Sequence, residues 1–76
     1  MNRENLRKNI AGMLEVNVKS LSPDDLLSKY DWDSLKILEY LAFVDENFPK
    51  AKITPDKIFK CKSVNDLENL LAKFIK

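Results

Sequence analysis

The feature that most constrains the fold of this chain is a stripe: Ile37, Leu41, Val44 and Phe48 recur at i, i+4, i+7 and i+11 within Tyr30–Phe48. That spacing lays one continuous apolar line along a single face of an α-helix. The helix is expected from about Ser34 to Asn47. Asp33 can accept from the unpaired amides of the first turn, and Phe48 precedes a proline, which disfavours the α conformation. Ser34 then lies in the first turn with its hydroxyl near the surface. The opposite side carries Leu35, Leu38, Glu39, Ala42, Phe43 and Glu46, a mixture of acids and large apolar groups. Such a mixture suggests a docking surface, since a purely solvated face would be mostly charged.

The remaining elements follow from caps and spacing. Asn2 can cap a first helix over roughly residues 3–15, with Leu6, Ile10, Met13 and Leu14 on its inner side and Glu4 paired with Lys8 on its wet side. Gly12 costs about 1 kcal/mol relative to alanine in a helix interior. Either another segment approaches closely there, or the glycine is simply tolerated near a fraying end. From Val16 to Trp32 no helical period is visible, yet structureless connections beyond about 12–15 residues are uncommon in compact domains. The segment is therefore expected to be a long ordered loop crossing the bundle, anchored by Leu21, Leu26, Leu27 and Trp32, with one short helical turn at Ser22-Pro23-Asp24-Asp25.

Thr54-Pro55-Asp56 opens a short third helix that would turn Ile58 and Phe59 inward. Ser63-Val64-Asn65-Asp66 reads as a capping box for a last helix, with Val64, Leu67, Leu71, Phe74 and Ile75 as its stripe and Lys73 and Lys76 at its C-terminal end. No alternating run or Asn-Gly turn signals a strand. The expected architecture is an all-α small four-helix bundle, three longer helices plus one short, with residues 1–76 as a single domain.

Composition narrows the chemistry. The chain has no histidine, so the usual partner of a catalytic serine and the commonest metal ligand are missing, and Lys36 shows no sign of the burial that would make it a base. Its single cysteine, Cys61, excludes an intramolecular disulfide and a cysteine-rich metal site. Asp31 and Asp33 do not fit a calcium loop. No catalytic or metal-ligating residue is therefore expected. Lys50, Lys52, Lys57, Lys60 and Lys62 cluster, but arginine is scarce and the central helix is acidic, which argues against a nucleic-acid reader. MNRENLRKNI has no apolar leader core, and no run approaches the roughly 18 apolar residues of a membrane span. A cytoplasmic monomer is expected.

The net charge of +1 conceals segregation: residues 24–46 hold seven acids against Lys29 and Lys36, a balance of −5, between basic flanks. Negative potential is thus concentrated around Ser34, which suits partners with basic patches.

Asp33-Ser34-Leu35, the long first loop, the acidic second helix and the Thr-Pro-Asp and Ser-Val-Asn-Asp helix starts together resemble the acyl carrier protein family, including the carrier domains of polyketide and nonribosomal peptide synthases. The likeness covers essentially the whole chain. It implies that Ser34 is modified with 4′-phosphopantetheine from coenzyme A and that acyl or aminoacyl groups ride on the arm as thioesters. Implied partners are a phosphopantetheinyl transferase, an acyl- or aminoacyl-loading ligase, and an acyltransferase or synthase.

By the same resemblance, docking would involve Asp33, Leu35, Lys36, Leu38, Glu39, Ala42, Asp45 and Glu46, and a sequestered cargo would meet Ile37, Leu41, Val44 and Ile53 unless these form ordinary core. Members serving primary fatty acid synthesis carry an acid where this chain has Lys36 and a small or aliphatic residue where it has Trp32. The near-neutral chain with Trp32-Asp33-Ser34-Leu35 looks more like a carrier dedicated to one pathway. The other reading is a small helical interaction module that keeps the carrier fold without modification.

Overall fold

Helix formation begins where the sequence first supplies a cap. In a computed structural model, which describes residues 1–75, the Asn2 side chain accepts from the Asn5 amide at 2.8 Å and opens α1, Arg3–Met13. Leu6, Ile10 and Ala11 form its buried side. The helix stops two residues short of the expected end because Glu15 adopts a left-handed φ of 59° and turns the chain away. A Cβ on Gly12 would meet nothing within 4 Å, so no close approach explains that glycine.

The long connection is ordered, as expected, and its ties show why. It forms two single 3-10 turns, Val18–Ser20 and Leu27–Tyr30. Ser22–Asp25 closes a turn through Asp25 N to Ser22 O at 3.0 Å and Ser22 N to Asp25 Oδ2 at 2.9 Å. Three backbone bonds then fasten residues 23–27 to the segment before and at the start of the last helix. These are Leu27 N to Lys62 O at 2.8 Å, Val64 N to Asp25 O at 3.0 Å and Asn65 N to Pro23 O at 2.9 Å. A lone antiparallel bridge between Leu26 and Ser63 marks the crossing. Neighbouring side chains of extended backbone point opposite ways. Leu27 is accordingly buried, whereas Leu26, expected as an anchor, stands 57% exposed.

The second helix, α2, spans Ser34–Asn47 and ends at Phe48, before Pro49. Its inner line is Ile37, Tyr40, Val44 and Phe48. Tyr40, absent from the expected stripe, takes the centre, and Leu41 is only half-buried. The reason is polar: the Tyr40 hydroxyl donates to Leu67 O at 2.7 Å across the core, which satisfies a group that would otherwise be costly to bury. Burial pushes its phenol pKa upward, so it stays a donor at any ordinary pH. Phe43, expected on the outer side, is drawn in beside it, with ring centroids 6.0 Å from Tyr40 and 6.2 Å from Phe48.

The third helix, α3, is Pro55–Phe59. Ile58 is buried but Phe59 is 69% exposed, against expectation, because adjacent helical positions lie about 100° apart and five residues offer only one inward direction. The fourth, α4, is Val64–Asn69, opened by the expected capping box: Asp66 N donates to Ser63 Oγ at 3.2 Å and Ser63 N to Asp66 Oδ2 at 3.1 Å. Beyond Asn69 the chain continues as i→i+3 turns, Leu71 N to Glu68 O and Phe74 N to Leu71 O, rather than as α-helix.

Two helices are thus long and two short, where three long ones were expected. The tighter turns keep Leu71 inside but leave Phe74 exposed; Lys76 lies outside the described residues. The four-helix, all-α class holds, and no strand forms among the described residues.

One core member has no apolar signature. Glu68 is fully buried on α4, held by Arg3 Nε at 2.8 Å and by Arg7 Nε and Nη2 at 2.8 and 2.9 Å, which fastens α1 to α4. Burial raises the Glu68 carboxyl, but the hydrogen bonds from Arg7 and Arg3 outweigh it, and the net shift is downward. A carboxyl lowered on folding stabilises above its unfolded pKa and loses that contribution as pH falls through the folded value. Glu68→Gln should therefore cost about 2 kcal/mol at neutral pH, less than for a wholly buried pair because both arginines reach solvent. In urea titrations the gap between parent and variant should close as the pH drops below the ordinary carboxylate range.

Candidate functional site

The candidate site is built around the first turn of α2. Asp33, in extended conformation, accepts from Lys36 N on its Oδ1 at 3.1 Å, and its carbonyl accepts from Ile37 N at 3.0 Å. Ser34 is the first helical residue and is exposed; its hydroxyl takes part in no hydrogen bond among the described residues. Upstream, Asp31 ends the second 3-10 turn with a left-handed φ of 54°. Trp32 then lays its ring edge-on to Tyr40, centroids 6.4 Å apart, with its indole N–H buried and unpartnered. The entry to the helix is thereby fixed by a cap on one side and an aromatic contact on the other.

The structure brings most of the expected docking residues to one side. Leu35 and Leu38 are 67% and 56% exposed, and Glu39, Ala42, Asp45 and Glu46 are exposed with them, following i, i+3, i+4, i+7, i+10 and i+11 from Leu35. None of these acids forms an ion pair among the described residues, so the negative field there is uncompensated at short range. Asp25, by contrast, is engaged: the Tyr30 hydroxyl donates to it at 2.6 Å and Lys29 lies 3.7 Å away. That hydrogen bond holds the Asp25 carboxyl below its ordinary value. Lys36 sits apart from the docking line, half-buried, with Nζ donating to Met13 O at 2.6 Å.

Sequence reasoning missed the surface next to this turn. A groove of about 300 Å³ is lined by Leu26, Leu27, Ser28, Trp32, Cys61 and Lys62, and it exists because the 26–63 bridge sets the long loop against the α3–α4 link. No local pattern announces a groove made from two distant loops. The Cys61 thiol beside it donates to Lys57 O at 3.4 Å, and burial pushes its pKa up to about 11, which keeps it protonated and a poor nucleophile at neutral pH. Ile37, Val44 and Ile53 are buried and Leu41 half-buried, and none of them lines this groove. No cluster of three or more potential metal ligands occurs among the described residues.

Ser34 thus presents an exposed hydroxyl at the N-terminus of α2, next to the Asp33 carboxylate. Residues 4–71 match the family model for the phosphopantetheine attachment site. The chain belongs to this family, whose members bind 4′-phosphopantetheine and serve other enzymes as carriers rather than catalysts. No curated protein and no solved structure matches it.

Because the Asp33 side chain caps the turn, Asp33→Ala should destabilise the protein by about 1 kcal/mol. The loss is expected to appear in thermal melts and as faster exchange of the Lys36 amide, which donates to that carboxylate.

Proposed function

We propose that Ser34 is the residue to which 4′-phosphopantetheine is joined, and that residues 1–76 act as one carrier domain for acyl or aminoacyl groups. The observation that carries this reading is the free Ser34 hydroxyl at the N-terminus of a 14-residue helix, within a chain that matches the family over residues 4–71. The residues present fit the group. A phosphodiester on Ser34 would lie near the first-turn amides and the positive end of the α2 dipole, a setting that favours phosphate. The groove containing Trp32, Leu26 and Leu27 offers an apolar resting place two residues from the attachment point. When attached, the group supplies a thiol on which cargo is held as a thioester.

Exposed Leu35 and Leu38 give partner enzymes apolar contact, and Asp33, Glu39, Asp45 and Glu46 give them charge to read, with Ala42 leaving room between. A phosphopantetheinyl transferase, a loading ligase and an acyltransferase or synthase are the partners this face suits. Trp32 and the near-neutral net charge support a dedicated pathway, since enzymes that dock on uniformly acidic carriers meet a different charge pattern here. No helix among the described residues is long and apolar enough to cross a membrane. A cytoplasmic location and a monomeric state are part of the proposal.

Incubation with coenzyme A and a broad-specificity phosphopantetheinyl transferase should add one phosphopantetheine to the parent and none to Ser34→Ala, read by intact mass. A folded parent that gains no mass with several transferases would make the chain an unmodified interaction module. Charge reversal at Glu39 or Glu46 should lower the kcat/KM of the loading enzyme at low salt and matter less as salt rises, because exposed rim charges act mainly on encounter.

A further inference from the structure

Lys36 stands where a cation is least favoured on α2 and reaches to where one is missing on α1. It lies in the first turn of α2, whose dipole repels positive charge, while α1 has no basic residue in its last turn. At the end of α1 the Gly12 and Ala11 carbonyls are taken by the Glu15 and Val16 amides, whereas the Met13 carbonyl is met by the Lys36 ammonium at 2.6 Å. The contact spans 23 residues of sequence and is partly buried, so the surrounding water screens it incompletely. Of the hydrogen bonds made by residues 33–37 with the rest of the described chain, it alone joins the first turn of α2 to another helix; those of Asp33 are local. The 20-residue stretch between the two helices, Leu14–Asp33, contains no α-helix.

We propose that Lys36 is a positioning residue for Ser34, clamping the first turn of α2 to the C-terminal carbonyl of α1 and so holding the hydroxyl in the orientation in which it is modified. This rests on Ser34 being the attachment site. The ammonium would then serve the modification turn from within, and would not act as a free charge on the docking rim. Replacing it with an acid would remove the clamp and set a carboxylate against a helix C-terminus, where negative charge is disfavoured. A swap intended only to change partner preference would therefore also loosen the site.

The test compares Lys36→Met and Lys36→Arg with the parent in two measurements. Transfer from coenzyme A is followed by intact mass at several carrier concentrations and two salt concentrations. Exchange of the Ile37 amide, which donates to Asp33 O at 3.0 Å, is followed on the unmodified proteins. The Met variant should lose kcat several-fold with KM for the carrier within about twofold at both salts, and Ile37 should exchange faster. Arginine, which keeps the donor and the charge, should restore both. A change confined to KM and sensitive to salt would mean that Lys36 is read by the partner, and would overturn the clamp. Unchanged exchange and kcat in the Met variant would overturn it as well. A folded parent that takes up no phosphopantetheine fails earlier, at the attachment site itself, and the clamp's role in modification falls with it.

Discussion

The rotation of α2 is set by one buried hydrogen bond, from the Tyr40 hydroxyl to the Leu67 carbonyl, and the rest of the arrangement depends on it. A phenol can be buried at the centre of a small core only where an acceptor waits for it. Once Tyr40 points at α4, Ile37 and Val44 must point inward too, and Leu35, Leu38, Glu39, Ala42 and Glu46 must point out. The exposure of Ser34 is part of the same geometry. The aromatic contacts of Tyr40 with Trp32 and Phe43 extend that constraint from the entry of the helix to its last turn.

Around this axis the short elements are held by polar ties more than by length. The helices α3 and α4 have five and six residues, too few to be stable alone. They are kept in place by the capping box at Ser63, the backbone bonds between residues 23–27 and 62–65, and the Glu68 carboxylate gripped by Arg3 and Arg7. The capping box is local, but the other two ties join parts of the chain far apart in sequence, so α4 is ordered by residues from the first half of the chain. The groove near Ser34 is a by-product of one of them, since it lies where the long loop meets the α3–α4 link.

Charge is distributed in the same economical way. The acids along the outer line of α2 form no ion pair among the described residues, whereas Asp25, Asp66 and Glu68 are committed to internal hydrogen bonds. Lys36 belongs with the second group: by position it is a surface cation at the wrong end of a helix, by contact a cap for the neighbouring one. A charge map drawn from sequence alone would place it on the docking rim.

The sequence by itself determined both long helices, the start of every helix, the exposure of Ser34 and of the acidic line beyond it, and the family to which the chain belongs. These rest on local physics, namely caps, prolines and the 3.6-residue period, which act between residues a few positions apart. Only the tertiary structure decided that Tyr40 and Glu68 are core, that Phe59 and Leu26 are not, that the last helix stops at Asn69, and that Lys36 serves α1. In each of those cases the partner that decides the matter lies at least 23 residues away or across a five- or six-residue helix, where periodicity has no purchase. A polar side chain is buried when a distant partner is there to receive it, and no local pattern records that partner.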